Sequence, residues 1–238
     1  MLVDQQPAFI LHARPYRETS LLLEVFTRDH GRVGLIARGV RRERSRLPRG
    51  VLQPLQPLLL SWVARGELGT LAGADMASAP LALAGDGLFA AMYVNELVQR
   101  LSERNDPHPH AFMAYAQCLA RLADAGQMAW TLRRFERDFL ADLGYALALT
   151  HAADGSPIEA DADYGYDPES GAGTWHNGSG RPLVRGSALL ALDRDEPPPP
   201  EQLIQLRRLI RTVVRHLLGS DLQAWSLSAR PLGPNGAG

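Results

Sequence analysis

The sequence contains no lysine, because all 25 of its basic residues are arginine. A Walker-type phosphate-binding loop and a Schiff-base site both need lysine, so neither an ATPase nor a pyridoxal enzyme is expected. Cysteine is nearly absent as well, and the single Cys118 cannot form an internal disulfide. This cysteine count predicts a reducing compartment.

Long apolar runs are also missing. The longest ones, near residues 21–26 and 55–64, are too short or too interrupted to span a bilayer. The first residues lack a basic segment followed by an apolar one, so no secretory signal is expected. We therefore expect a cytoplasmic protein with no membrane partner.

Charge is plentiful but unevenly placed along the chain. The net charge is −1, yet residues 1–80 carry 11 arginines against seven acidic residues. Residues 151–200 carry nine acidic residues against three arginines, and the segment from residue 201 is basic again. Basic ends around an acidic middle indicate a polyanionic partner.

Residues 8–76 contain β-rich or apolar runs of strand length, punctuated by turn signals such as Arg14-Pro15. The sequence Asp29-His30-Gly31 suits a tight hairpin, because Gly31 can adopt positive φ. Five short strands predict a small closed barrel, and the OB-fold is the commonest such design, although strand count alone does not distinguish it from an SH3-like barrel. The expected strands are residues 8–13, 20–27, 32–37, 57–63 and 68–75.

Beyond the strands, apolar residues recur at helical spacing and predict three helices that pack as a bundle. The expected N-cap of the first helix is Asp86, and Gly126 and Gly144 are expected to end the second and third. Residues 150–182 lose this periodicity, which predicts an irregular insertion, and a final amphipathic helix is expected over 201–218. The expected fold is α+β multidomain, with an OB-fold barrel at 1–80 and a helical domain at 81–238.

An arginine cluster at residues 38–49 is the strongest local signal, with six arginines and one acidic residue. We expect it in an exposed barrel loop, where guanidinium groups displace counterions from a phosphate backbone and stack on bases. Tyr16 would add a stacking surface. The competing interpretation is an ordinary solvated face. The predicted DNA-binding residues are Arg14, Tyr16, Arg17, Arg28, Arg32, Arg38, Arg41, Arg42, Arg44, Arg46 and Arg49.

The final helix predicts a second basic surface, which is also what the wet face of an amphipathic helix looks like. Its residues are Arg207, Arg208, Arg211 and Arg215.

Metal-binding and catalytic constellations are lacking. His108 and His110 have no cysteine nearby, and the acidic residues of the insertion show neither EF-hand nor zinc spacing. No hydrolase motif appears either. The sequence therefore predicts a binding protein that is not an enzyme and has no metal or other cofactor.

Short motifs in a fixed order resemble the RecO family of bacterial recombination mediators. Each motif alone is weak, and their order from residue 16 to residue 171 makes the assignment specific. The motifs are YRETS at 16–20, VFTRDHG at 25–31, ARGVRR at 37–42, LQPL at 52–55, YVNEL at 93–97, RFER at 134–137, LGY at 143–145 and YDPESG at 166–171.

The resemblance implies an N-terminal OB-fold, a helical domain and a nucleoid-associated role in DNA repair. RecO-like proteins bind single- and double-stranded DNA and anneal complementary strands coated by single-strand-binding protein. With RecR they promote RecA loading in the RecF pathway. In that family a basic DNA-binding surface contains the positions that match Arg38, Arg41, Arg42 and Arg44.

RecO-like proteins also bind the acidic, apolar C-terminal tail of single-strand-binding protein. Such a peptide needs a cation for its carboxylate and a pocket for its apolar end. We expect Arg121, Arg133 and Arg134 at that site.

One departure from the family concerns zinc. Many relatives carry a four-cysteine zinc module before the C-terminal helices, but residues 151–175 contain no cysteine here. The insertion is therefore expected to be zinc-free and to be held by other contacts, involving Tyr164, Tyr166 and Trp175.

Other functions fit the same residues. A generic OB-fold RNA-binding or translation accessory protein would be separated by competition between RNA and single-stranded DNA. An interaction scaffold for acidic proteins would fail to retard any nucleic acid at low salt. A metal-dependent nuclease would cleave strands in magnesium, which is not expected.

Overall fold

The computed structural model of the chain describes residues 1–42, 50–176 and 178–227. These residues form two compact units, of which the first is Met1–Ala123 and the second begins at Asp124. The first unit contains a β-barrel and two helices. The second contains the remaining helices and a small sheet.

The barrel has five strands: β1 (Leu2–Tyr16), β2 (Ser20–Thr27), β3 (Gly31–Ala37), β4 (Pro57–Val63) and β5 (Leu68–Met76). They close in the order β1-β2-β3-β5-β4, and all neighbours are antiparallel except β3 and β5. This five-stranded closed barrel with a helical region after it confirms the predicted fold class.

The β2–β3 hairpin forms where the sequence predicts it. Gly31 has a φ of +63°, which a residue without a Cβ adopts at little cost. The Thr27 hydroxyl donates to the Gly31 carbonyl oxygen at 2.8 Å and accepts from the His30 N–H at 3.2 Å. The turn residues therefore fix the register of the two strands.

The first strand is longer than its sequence predicts. Arg14-Pro15 is expected to interrupt it, yet β1 continues to Tyr16 and pairs with β2 through Pro15. Pairing of β1 with β4 ends at Phe9, so the missing N–H of Pro15 removes no bond on that side.

Two helices, α1 (Gly85–Leu101) and α2 (Pro109–Arg121), complete the first unit. The N-cap of α1 is Ala84 and not Asp86, which lies in the first turn. α2 ends at Arg121, before the predicted end at Gly126.

Aromatic rings join α2 to the outer face of the barrel. Phe9 and Phe26 are cross-strand partners, and both contact Phe112 and Tyr115 of α2, with ring centroids 5.1–5.8 Å apart. Burial raises the pKa of Tyr115. Contacts of this kind stabilise beyond the area that they bury.

A β-bulge provides a second attachment for the helices. The register of β1 shifts between Ile10 and His12, and Asn95 of α1 donates its amide N–H to the Leu11 carbonyl oxygen at 2.5 Å. The Tyr115 hydroxyl donates to the Asn95 side-chain oxygen at 2.9 Å. A bulge leaves backbone groups unpaired, and here a helix satisfies one of them.

In the described part of the second unit, four α-helices follow a 3-10 turn at Ala125–Gln127. The sequence predicts the first and third of them, and it misses the two short ones. α1 and α2 cluster with the barrel in the first unit, whereas α3 lies in the second. The four helices are α3 (Met128–Asp142), α4 (Gly186–Asp193), α5 (Pro200–Leu218) and α6 (Gln223–Leu227).

The segment predicted as irregular contains a three-stranded antiparallel sheet, β6 (Asp163–Asp167), β7 (Gly171–Thr174) and β8 (Leu183–Arg185), in the order β7-β6-β8. The Tyr164 hydroxyl accepts from the Glu159 N–H and the Tyr166 hydroxyl from the Ala148 N–H, both at 2.9 Å. The predicted structural role of these two tyrosines is therefore confirmed.

Candidate nucleic-acid interface

The described part of the arginine cluster leaves the barrel at the end of β3. Val40 is buried in the barrel core, with 1% of its surface exposed, while Arg38 and Arg41 on either side of it are exposed. One apolar side chain thus anchors the segment and leaves its arginines in solvent. Three of the predicted residues, Arg44, Arg46 and Arg49, lie outside the described residues.

The turn between β1 and β2 meets this segment. The Arg41 N–H donates to the Thr19 carbonyl oxygen at 3.0 Å, which holds the two pieces of backbone side by side. The last residues of β1 and the turn that follows carry further predicted side chains. We call this group the arginine end of the barrel; it comprises Arg14, Tyr16, Arg17, Arg38, Arg41 and Arg42.

The guanidinium groups of the arginine end are available to a ligand. All five arginines are exposed, and none forms an ion pair with another residue of the described ranges. The Arg17 guanidinium carbon lies 5.3 Å from the centroid of the Tyr16 ring. One carboxylate, that of Glu18, is exposed in the same turn. The surface is therefore strongly positive.

The other two predicted arginines of the barrel lie at the turn between β2 and β3. Arg28 donates to both carboxylate oxygens of Asp29, at 2.8 and 2.9 Å. Arg32 donates to Glu24 at 3.2 Å and, through two N–H groups, to the Ser102 carbonyl oxygen at 3.0 and 3.2 Å. We call this group the clasped end; it comprises Glu24, Arg28, Asp29, Arg32, Ser102 and Arg104, which also pairs with Glu24.

The arginines of the clasped end differ from those of the arginine end because they have protein partners. The hydrogen bonds from Arg28 hold the pKa of the Asp29 carboxyl below its ordinary value, because they stabilise the charged form. The side chains of Arg32 and Glu24 are only 18% and 14% exposed. Arg32 has donors on all three guanidinium nitrogens engaged, whereas Arg28 is 46% exposed and shares its charge with one carboxylate.

The three arginines predicted for a tail peptide are placed differently from one another. Arg121 is exposed at the end of α2 and has no ion pair with any described residue. Arg133 is not at the surface, which corrects its prediction, because it is 5% exposed and donates to both carboxylate oxygens of the buried Glu136. Arg134 donates to both carboxylate oxygens of Asp195.

Two of the four arginines in the basic stripe on α5 have partners within the protein. Arg211 lies over the Trp225 ring, with its guanidinium carbon 4.3 Å from the ring centroid, and Arg215 donates to the Asp221 carboxylate. Arg207 and Arg208 are exposed and make no ion pair with a described residue. Of the predicted second surface, Arg207 and Arg208 are therefore the arginines without a carboxylate or ring partner among the described residues.

Two classes of partner escaped sequence analysis. No sequence pattern predicts that the Ser102 carbonyl accepts from Arg32 or that the Asp221 carboxylate accepts from an arginine of α5, because both bonds form only when the chain folds back on itself. By contrast, Asp29 directly follows Arg28 in sequence, and that adjacency could have signalled the pair. In the described ranges no three His, Cys, Asp or Glu side chains converge as metal ligands would.

No helix within those ranges combines the length and hydropathy that a membrane span requires.

A closed five-stranded barrel that exposes several arginines at one end, followed by a helical region, is typical of OB-fold proteins that bind nucleic acids. Comparison with known protein families identifies the family to which the chain belongs. The family model described as "Recombination protein O N terminal" matches residues 1–80, and the one described as "Recombination protein O C terminal" matches residues 83–226.

Individual relatives agree with these matches. The chain is 45% identical over 231 residues to the DNA repair protein RecO of Stenotrophomonas maltophilia strain K279a, covering 95% of this chain and 97% of the relative. It is also 45% identical over 223 residues to the DNA repair protein RecO of Ralstonia nicotianae, covering 92% and 82% of the two chains. The chain belongs to the RecO family of DNA repair proteins, and the predicted resemblance is confirmed.

Proposed function

We propose that the arginine end is the surface through which this protein binds single- and double-stranded DNA. The observation that carries the proposal is the backbone bond from Arg41 to Thr19, since it gathers on one end of a small barrel five guanidinium groups that form no ion pair with a described residue. Each phosphate that such a group neutralises releases condensed counterions, and this release drives binding without reference to base sequence.

Strand annealing follows from the same charge. Two complementary strands repel each other through their phosphates, and a surface that neutralises both lowers this repulsion while base pairing supplies the driving force. No bond in the DNA is made or broken, so the protein acts by binding and not as an enzyme. Arg207 and Arg208 of α5 offer a further exposed pair of cations.

The proposed setting is recombinational repair, in which the protein acts on strands coated by single-strand-binding protein and, with RecR, promotes RecA loading. For the acidic tail of single-strand-binding protein, Arg121 is the best-placed cation of the three predicted. Met113 lies about two turns earlier on α2 and is 48% exposed, so it offers an apolar contact.

The salt dependence of DNA binding tests the arginine end. We expect the double variant Arg41→Ala/Arg42→Ala to bind both forms of DNA more weakly, with the slope of log affinity against log salt lowered by about 0.7–0.9 for each phosphate that is no longer neutralised. The matched control is Arg28→Ala/Arg65→Ala, which removes the same formal charge from other turns. An unchanged slope in the first variant, or the same decrease in both, would remove the arginine end from the mechanism.

Annealing of protein-coated strands tests the wider function. Complementary strands coated with the cognate single-strand-binding protein are expected to anneal faster with this protein than without it. Deleting the terminal peptide of the single-strand-binding protein should abolish that acceleration, and Arg121→Ala should reduce it while binding to bare DNA persists. Equal annealing with and without the peptide would rule out the proposed tail contact.

A further inference from the structure

Only one aromatic side chain of the barrel is open to a ligand. Residues 1–80 contain four aromatic residues, and the structure describes all of them. Phe9 and Phe26 are buried against α2, and Trp62 is buried in the barrel core and contacts His30. The fourth, Tyr16, is half-buried at the arginine end.

The surroundings of Tyr16 suit a nucleobase. Its ring is next to the β1–β2 turn, and the guanidinium of Arg17 lies over it. Accessible aromatic rings beside cations are a common means by which proteins bind single strands, because every base has a π-face that can stack and a nearby phosphate that a cation can neutralise.

The backbone of the turn holds the cation over the ring. Arg17 has a φ of +53°, a left-handed conformation that is unfavourable for a residue with a side chain. A glycine at this position would relieve the strain, so Arg17 occupies a position where the fold alone favours a smaller residue. The side chain makes no ion pair with a described residue that would explain its presence.

We infer that Tyr16 is a base-stacking site, and that it makes the arginine end favour single-stranded over double-stranded DNA. This inference rests on the proposed DNA binding by the arginine end. In a duplex each internal base is stacked between its neighbours and offers no free face, whereas any base of a single strand can be placed on the ring. The arginines would bind phosphates of both forms, and the ring would contribute only to single strands.

Three DNA ligands of equal length separate these contributions: oligothymidine, a blunt duplex and an abasic strand that keeps its phosphates. In Tyr16→Ala we expect affinity for oligothymidine to fall about 5- to 30-fold. Affinities for the duplex and the abasic strand should change by less than about twofold, since neither places a base on the ring. Tyr16→Phe should keep the wild-type preference for oligothymidine over the abasic strand, because it keeps the ring.

Further variants control for folding and for charge. Tyr16→Leu keeps apolar bulk and replaces the alanine variant if that protein unfolds at a lower temperature. Arg17→Gly should unfold no earlier than the wild type and weaken single-stranded and duplex binding alike. Tyr145→Ala removes a 48% exposed tyrosine of the second unit and should change none of the affinities.

The outcomes separate this inference from the proposed function. If Tyr16→Ala weakens all three ligands equally, or weakens none, the stacking site is wrong while DNA binding by the arginines stands. If the wild-type protein binds none of the three at low salt, the proposed function fails and the stacking site with it. Irradiation of a strand containing 5-iododeoxyuridine should place the cross-link on Tyr16, and a cross-link at other residues alone would overturn the inference.

Discussion

Both ends of the barrel carry arginines, but the arginines of one end pair with carboxylates of the protein and those of the other end are exposed to solvent. At the arginine end, five guanidinium groups are exposed without an ion pair among the described residues. At the clasped end, Arg28 and Arg32 are bound by two carboxylates and a backbone carbonyl. An arginine in the sequence therefore does not by itself predict an available positive charge at the surface, because folding gives some arginines carboxylate or carbonyl partners and leaves others exposed.

The clasped end also supports the fold, which the arginine end does not do to the same extent. The Asn105 N–H donates to the Arg32 carbonyl oxygen at 2.9 Å, and Arg104 pairs with Glu24 of β2. The segment that follows α1 is thus attached to β2 and β3 at several points. Substitutions at the two ends should accordingly differ in whether they change stability or DNA binding.

The largest difference is expected from a matched pair of glycine substitutions. Both Gly31 and Gly39 have a positive φ, +63° and +67°. A Cβ at Gly31 would collide with the Asp106 carbonyl, whereas at Gly39 the nearest atom is the flexible Arg42 Cδ at 3.8 Å. We expect Gly31→Ala to lower the free energy of unfolding by at least about 3 kcal/mol and Gly39→Ala by about 1–2 kcal/mol, measured by chemical denaturation.

Equal destabilisation of the two glycine variants would mean that the clasped end is no more tightly packed than the arginine end, and would contradict its greater contribution to the fold.

A smaller difference is expected between two single arginine variants. Arg32→Ala leaves a mostly buried carboxylate and a carbonyl with fewer donors, so the free energy of unfolding should fall by about 1–3 kcal/mol. Its salt slope for DNA binding should stay unchanged. Arg41→Ala should do the reverse, with a lower slope and an unfolding free energy within about 0.5 kcal/mol of the wild type.

Chemical denaturation and DNA titration of both variants test whether Arg32→Ala changes only stability and Arg41→Ala changes only the salt slope. A lowered salt slope in Arg32→Ala would show that the clasped end also binds phosphate.

The smallest effect concerns the pH dependence of the exposed Arg28–Asp29 pair. Because its folded-state pKa is lowered from the ordinary 3.8, Asp29 contributes stability above that pH and loses it as pH falls through the lowered value. Arg28→Ala should return the pKa of Asp29 toward 3.8 and remove this contribution at neutral pH but not in strong acid. NMR titration of the Asp29 carboxyl carbon measures the change; an unaltered pKa would contradict the pairing.

Much of the first unit could be predicted from sequence because its signals are local. The apolar runs of β2 and β4, and the glycine of the β2–β3 turn, depend only on neighbours along the chain. The small sheet of the second unit gave no such signal. Its strands are three to five residues long and contain glycine where a β-rich residue is expected, as in the pair Gly165–Gly173.

The sequence predicted that the candidate site consists of arginines, but not which arginines the fold brings together at one end of the barrel. Sequence placed Arg28 and Arg32 in one patch with Arg38 and Arg41, since all four are close along the chain. Distance along a strand is what separated them, because β2 and β3 run from one end of the barrel to the other. Pairing with Ser102 depends on a segment 70 residues away, and no local pattern reports such a contact.

The ring cluster that joins α2 to the barrel has a practical consequence for dissecting the protein. A fragment cut after residue 80 would keep the five strands but uncover Phe9 and Phe26, which are 4% and 0% exposed in the whole chain. Two adjacent bare rings on a small barrel would favour self-association. A fragment of residues 1–123 retains the helix that shields them, so the proposed binding to DNA is better tested on this fragment than on residues 1–80.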